Sequence, residues 1–497
     1  MLKLAENNIL MASLKTYDYL TGVLSTEIDK LFAASTPKKL SEKYSYHGFG
    51  VNHKVVSHKA MAIMAQEFDE VLCCNKSTRC LLAGDDGSLW AFNGEYYESV
   101  GNGEGFITEL IKRTMIKLSM SSLYIFEAPK YIAKEITRAI YNTDECKFRP
   151  NRRYIVFKNG VFDVDKNRLN KFSAEYVTDL ILDYDYNSKA SCLLWDIKIK
   201  EIIPNDDMRN AFQMFCGSLL VRREELKIEY LCLLIGSGAN GKSVLSSVIM
   251  GAFGEKYFGR CSPKQLFRSS DSSFMASLAG KIGNFTDDID SKDFSGGDLK
   301  SFISGEKMQA RKMYRDPTLV QAPPMLVCTN TVPETGDDTW GYHRRQLPIY
   351  TTTKQWTEKD KDPMLAHKLQ TTEARQRIFN WIHEGYKKIM QNNGTIKLGK
   401  DTLKAQEALM DNSTSVRRWW RDSRYCKPNE LIKCEWVLLS KLLEDYKTYC
   451  NDMLEVAKNG KEVSAILASA GLEKRRRSDG YAYLVGLRGT SIETLED

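Results

Sequence analysis

Among the 12 cysteines of this 497-residue chain, no two stand as a Cys-x-x-Cys pair. Cys73, Cys74 and Cys80 form the one cluster, and no histidine or further cysteine nearby completes a tetrahedral metal site. The scattered thiols read as reduced, and a cytoplasmic protein is expected. No stretch reaches the roughly 18 apolar residues that would cross a bilayer. The opening MLKLAENNILMASLK carries acidic residues and no long apolar core, so no signal peptide is expected. No internal repeat of fixed period is visible, which excludes solenoids and propellers. There is also little net charge: +7 is small for this length, so it permits nucleic-acid binding without arguing for it. What remains is an ordinary globular balance, 42% hydrophobic and 27% charged, in a chain long enough for three or four domains.

Residues 1–75 look mixed and mostly helical and carry no recognisable chemistry. From 76 to 190 the texture changes to α+β. SLWAFNGEYYESV alternates apolar and polar residues around Asn93-Gly94 and reads as a hairpin. GFITELIKRTMIKL has helical spacing, and YIVFKNGVFDVDKNRL reads as a second hairpin turning near Asp165-Lys166-Asn167. Residues 191–229 read as helices, one opened by Pro204 and Asn205. From there to about 400, strand candidates alternate with helices. YLCLLIG, KIGNFTDDID and PPMLVCTN are the strands, with Pro323 and Pro324 ahead of the third rather than inside it. This alternation predicts an α/β core with a mainly parallel sheet covered on both faces. RIFNWIHEGYKKIM is an amphipathic helix. Residues 401–497 form a separate unit, with a helix in KEVSAILASAGL and a hairpin turning at Asp479-Gly480.

GSGANGKS, residues 236–243, fits G-x-x-x-x-G-K-[ST] at every fixed position. Glycines let backbone N–H groups turn inward around an anion, and the following helix N-terminus adds positive potential. Gly236, Ser237, Gly238, Ala239, Asn240 and Gly241 would cradle the phosphates of ATP. Lys242 would reach the outer phosphates, and the Ser243 hydroxyl would ligate Mg2+. Hydrolysis also needs an acid to hold the metal-bound water and polarise the nucleophile. Asp288 is the first candidate, with Asp287 and Asp290 next, at a strand's C-terminal end where ligands of open α/β sheets bind. A solvated acidic turn is the other reading. Asn330 ends the third strand, where it could sense the γ-phosphate or orient water. Arg344 and Arg345 could supply an arginine finger; in trans, this implies a ring with sites between subunits. An ordinary surface pair is the alternative.

The order of GSGANGKS, the acidic strand end, LKSFISGEKMQARKMYRDP, PPMLVCTN and WGYHRRQLPI resembles that of the superfamily 3 helicases, specifically the helicase portion of poxviral and phage/plasmid primase-helicases. FKNGVFDVDKNRL with LILDYDYNSKASCLLWDIKIKEI is similar to that family's pre-helicase segment, and NWIHEGY to its post-core helix. The likeness covers roughly residues 80–400. It implies an AAA+-like P-loop ATPase in a ring, expected as a hexamer, translocating on single-stranded DNA and unwinding forked duplex in the replication of a phage, plasmid or other mobile element. By the same resemblance Lys242 and Ser243 take the Walker A roles, Asp288 and Asp290 the paired acidic positions, Asn330 the sensor, and Arg344 and Arg345 the paired arginines. This chain has Asp where Glu is usual. Lys300, Lys307, Arg311, Lys312 and Arg315 then fall on a hairpin facing the central channel, where cations grip phosphates without reading sequence; charge alone would equally describe a solvated loop. The C-terminal unit reads as winged-helix-like, with residues 463–472 as recognition helix and Lys474, Arg475, Arg476 and Arg477 on a wing contacting DNA phosphates. The roughly 75 residues ahead of the likeness carry no paired acidic motif or zinc knuckle. No primer synthesis is expected, and a separate primase or polymerase is the implied partner.

Two other functions fit parts of the pattern. An origin-binding initiator would assemble and melt DNA without processive unwinding, its C-terminal unit carrying the sequence preference. A small-molecule P-loop kinase would need an arginine-bearing lid and has no use for the basic segment 300–315.

Overall fold

The structure is a computed structural model. It describes residues 15–27, 65, 68–69, 72, 79–85, 87–100, 103–117, 128–267, 273–287, 297–311, 317–330, 340–357, 362–429 and 432–491. The chain divides into two compact units, Met1–Tyr186 and Asn187–Asp497. Among the described residues no helix is long and apolar enough to cross a membrane.

In the first unit, β1 (Leu81–Ala83), β2 (Leu89–Phe92) and β3 (Tyr97–Ser99) form an antiparallel meander. The β2–β3 turn is set by Asn93, whose side-chain oxygen accepts from the N–H groups of Glu95 and Tyr96, both at 3.0 Å. Two helices, α1 (Gly103–Lys117) and α2 (Ala128–Asn142), share a core with this sheet through Ile107, Leu110, Ile132 and Ile136. A second meander follows: β4 (Tyr154–Phe157), β5 (Gly160–Asp163) and β6 (Arg168–Asn170). The sequence reading takes this stretch as one hairpin; the structure contains two. The extra turn is Lys158-Asn159, closed by Phe157 pairing with Gly160, whose φ of 148° suits glycine.

The second unit is built on a five-stranded sheet of order β13-β7-β12-β9-β8, in which every pairing is parallel. Its strands are β7 (Leu231–Ile235), β8 (Phe258–Gly259), β9 (Gly283–Thr286), β12 (Met325–Thr329) and β13 (Gln346–Tyr350). All five residues of β7 are buried, as expected for a strand covered on both faces. Helix α3 (Leu193–Ile202) is followed by α4 (Asp206–Gly217), whose N-cap Asn205 accepts from the Met208 N–H at 3.0 Å. The glycine-rich loop 236–241 leads into α5 (Lys242–Phe253). Between β9 and β12 the chain forms α6 (Gly297–Ile303) and an antiparallel hairpin, β10 (Lys307–Ala310) and β11 (Thr318–Gln321). After β13, α7 (Thr372–Gln391) packs against α4 through two glycines. A Cβ on Gly385 would lie 2.0 Å from the Gln213 carbonyl oxygen, and one on Gly217 would lie 2.2 Å from the Tyr386 nitrogen.

α8 (Lys400–Asp411) leads into the C-terminal part. This comprises α9 (Ser415–Asp422), β14 (Tyr425–Cys426), β15 (Ile432–Leu438), α10 (Leu439–Asp452), α11 (Gly460–Ser469), β16 (Lys474–Arg477) and β17 (Gly480–Ser491). β17 pairs antiparallel with β14, β15 and β16. The helices cover one face of this sheet through Trp419, Leu442, Tyr446, Val463 and Leu467. α11 starts three residues ahead of the helix read from sequence because Asn459 and Glu462 form a reciprocal capping box.

Candidate nucleotide site and basic hairpin

The loop after β7 is held open by backbone geometry. Gly238, Ala239 and Gly241 have φ of 92°, 47° and 87°, so successive peptide N–H groups curl to one side at the start of α5. Ala239 stands in a conformation that side chains rarely adopt. Gly236 has no room for a side chain: a Cβ there would lie 2.0 Å from Thr351 Oγ1. Lys242, though charged, is only 6% exposed. Its ammonium donates to the Gly236 carbonyl at 2.8 Å, to Asn240 Oδ1 at 3.1 Å and to Asn330 Oδ1 at 3.0 Å. Sheet order explains the last contact. β12 lies directly beside β7 with Thr329 opposite Ile235, so the next residue, Asn330, emerges next to the loop.

Asp287 follows the last residue of β9 and is exposed. Its carboxylate approaches the Cys328 thiol of β12, as does the Ser246 hydroxyl of α5; burial pushes that thiol's pKa well up, with Asp287 adding to the rise. Asp287 therefore lies beside β12, whose Cys328 also meets the helix that carries Lys242 and Ser243. Asp288 and Asp290 lie outside the described residues.

A segment the sequence reading left unassigned packs over this loop. The Trp356 N–H donates to the Ala239 carbonyl at 2.8 Å, and Gln355 Nε2 donates to the Ser237 carbonyl at 3.3 Å. Asn240 Nδ2 donates to Thr351 Oγ1 at 2.7 Å. A Cβ on Gly241 would lie within 2.8 Å of Ile202 and the Trp356 ring. Residues 351–356 thus form a strap that fixes the loop from the β13 side. No local pattern marks it, because its partners lie more than 100 residues away.

Arg344 and Arg345 are elsewhere. Leu231, the first residue of β7, donates its N–H to the Arg345 carbonyl at 2.8 Å, so the pair sits at the amino end of β7 and β13. A five-residue strand puts roughly 16 Å between this end and the glycine-rich loop. Both guanidinium groups meet Glu229, Arg344 at 2.9 Å and Arg345 at 3.3 Å. Burial raises the Glu229 pKa, but the Ser304 hydroxyl and the two arginines outweigh it, so the carboxyl lies below its ordinary value. Arg345 is the more enclosed, its side chain 15% exposed against 45% for Arg344.

Lys307 opens β10 and Arg311 follows it; both are exposed. Lys300 lies on α6, while Lys312 and Arg315 lie outside the described residues. The root of this hairpin rests on Arg223, which sequence reasoning missed. Its guanidinium donates to the carbonyls of Ala322 at 2.9 Å, Ile228 at 2.7 Å and Ile303 at 2.5 Å. Burial lowers its pKa to about 10, against the pull of Glu229. Arg475, Arg476 and Arg477 are all exposed on β16, far in sequence from the loop.

Residues 62–204 match a family described as "D5 N terminal like". Residues 234–345 match a "Family of unknown function (DUF5906)" that runs from within β7 to Arg345. Over 227 residues the chain is 26% identical to "Putative helicase L207/L206" of Acanthamoeba polyphaga mimivirus. That match covers 42% of this chain and 23% of the mimivirus protein, so the chain spans less than a quarter of its relative's length. Solved structures of the NrS-1 C terminal region cover 82% of this chain and 95% of their own, with a TM-score of 0.43 at 7% identity. A second such structure gives 0.39 at 9%.

Proposed function

We propose that this chain is an ATP-dependent DNA helicase of the superfamily 3 type. It would work as a ring, expected as a hexamer, on single-stranded and forked DNA in the replication of a phage, plasmid or other mobile element. The observation that carries this reading is the split of the candidate machinery between two ends of one sheet. Lys242, Asn330 and Asp287 converge at the carboxyl end, while the arginine pair stands a strand's length away. An arginine that far from its own loop could reach only a neighbour's, so a finger here would complete the site between two copies.

The residues fit ATP with Mg2+. The positive-φ loop offers inward N–H groups to the phosphates, and the ammonium of Lys242 already sits among oxygen acceptors where a phosphate oxygen would join them. Ser243 and Asp287, with Asp288 next to it and Asp290 three residues on, would hold Mg2+, which neutralises charge on the phosphates. Asn330, tied to Lys242, would orient the attacking water. Arg344, the more exposed of the pair, would be the finger, and Arg345 would set its position through Glu229. Lys307 and Arg311, with Lys312 and Arg315, would grip DNA phosphates in the channel. A separate primase or polymerase is proposed as partner.

ATP hydrolysis stimulated by single-stranded DNA, together with strand displacement on a forked duplex, tests this reading. Site-specific footprinting without displacement would favour the origin-binding initiator instead.

A further inference from the structure

The arginine run of β16 is split between two faces of the C-terminal sheet. Register places Lys474 opposite Tyr483, Arg475 opposite Ala482, Arg476 opposite Tyr481 and Arg477 opposite Gly480. Tyr483 and Val485 belong to the core beneath the helices, and Lys474 reaches Ser464 of α11 at 3.1 Å. Because side chains alternate along a strand, Lys474 and Arg476 belong to the helix side, and Arg475 and Arg477 to the outward side. On β15, Val437 is in the core, so Trp436 and Leu438 also face outward. Arg477 reaches diagonally across the small Ala482 and places its guanidinium 5.9 Å from the centre of the Trp436 ring. Trp436 and Leu484, opposite one another, are both partly exposed. Glu435 alternates to the other side. The outward face is therefore a partly exposed indole and an aliphatic neighbour flanked by two guanidinium groups, with Glu473 at its edge, its carbonyl accepting from the Leu484 N–H at 3.0 Å.

The opposite candidate, α11, is poorly equipped to read a groove. Its exposed residues are Lys461, Glu462, Ala465, Ala468 and Ser469, and the Glu462 carboxylate is held by the Asn459 N–H at 3.1 Å. No arginine, asparagine or glutamine is available there for bidentate contact with a base edge.

We infer that the outward face of the C-terminal sheet is a stacking platform for single-stranded DNA, with Trp436 under a base and Arg475 and Arg477 on the flanking phosphates. A partly exposed indole offers a base a π-face and makes no demand on its sequence, while a duplex keeps its bases stacked away from it. Charge complementarity selects a polyanion. The inference deepens the proposed function and rests on its DNA partner.

The test measures binding of a fluorescent oligothymidylate and of a duplex of equal length to the full chain, without nucleotide, across salt concentration. Trp436→Ala is expected to weaken single-strand binding by about 5- to 150-fold, the range for loss of one stacked base, with duplex binding little changed. Trp436→Phe should restore most of the loss. Arg475→Ala with Arg477→Ala should flatten the salt dependence by about 1.4 in log–log slope, two single-strand phosphates' worth, and Arg476→Ala by less. Unchanged single-strand affinity in Trp436→Ala, or an equal loss on duplex, overturns the platform. Should Trp436→Ala misfold, the double arginine variant decides alone, and an unchanged salt slope refutes the proposal. A wild-type chain that binds no oligonucleotide would sink the DNA-partner reading and the platform with it; a wild-type chain that binds, with Trp436→Ala equal to it, sinks only the platform.

Discussion

Two inactive variants should restore each other. Lys242→Ala removes the ammonium proposed to contact phosphate, and Arg344→Ala removes the proposed finger from the opposite end of β7. Each alone is expected to lose ATP turnover; loss of a finger costs on the order of 1,000- to 100,000-fold in kcat. In a randomly mixed ring, a site works when its own copy carries Lys242 and the neighbour facing it carries Arg344. At equal proportions each condition holds for half the copies, so about a quarter of wild-type turnover returns. If the arginine acted on its own copy's site, mixing would return nothing. The separation of about 16 Å along β7 is what makes the two outcomes differ. The assay is steady-state phosphate release after co-assembly at several ratios. A maximum near equal proportions is expected, and activity flat at background across all ratios would refute shared sites.

Three further outcomes follow from single contacts. Asn330→Ala removes an acceptor 3.0 Å from the Lys242 ammonium and is expected to lower kcat on the order of 100-fold. KM for ATP should move by less than about threefold; a rise in KM alone would assign Asn330 to binding instead. Gly385→Ala forces a methyl to 2.0 Å from the Gln213 carbonyl and should cost about 3 kcal/mol, a fall in Tm of roughly 5–10 °C by thermal unfolding; an unchanged Tm would mean that α4 and α7 separate freely. Glu229→Gln removes a carboxylate whose folded pKa is depressed. Such a group stabilises the fold above its unfolded pKa of about 4.3 and loses that contribution as pH falls through the lower folded value. The stability gap between wild type and variant should therefore be level above about pH 5 and close in stronger acid; a gap that widens with acid would contradict the pairing with Arg344, Arg345 and Ser304.

The parts of the fold written in local pattern were legible. β7 announces itself as a continuous apolar run, and the glycines and lysine after it have no simpler use. The helix cap at Asn205 and the turn at Asn93-Gly94 follow from side-chain chemistry within three residues, whereas the Asn459–Glu462 box that opens α11 was not read. What was not legible depends on strand order. Nothing in the sequence says that β12 inserts between β7 and β9. That insertion brings Asn330 to Lys242 and sets Asp287 against Cys328. The sequence reading ranked Asp288 ahead of Asp287; Asp288 lies outside the described residues, and Asp287 is the carboxylate that the structure sets at the end of β9. Arg223 was overlooked because a single arginine among others reads as surface. Only its three carbonyl partners, from three segments, reveal its place under the basic hairpin. The strap from Thr351 to Trp356 and the glycine pair at positions 217 and 385 are likewise contacts between segments 100 or more residues apart.

The central claim is that nucleotide turnover between adjacent copies drives movement along a DNA strand. The most direct measurement is ATP turnover by the full chain against protein concentration, with and without single-stranded DNA, on the same preparation assayed for displacement of a forked duplex. The account predicts turnover per copy that rises steeply as copies assemble, rises again with DNA, and accompanies displacement that Lys242→Ala abolishes. Turnover per copy independent of both concentration and DNA, with no strand displaced, would contradict it.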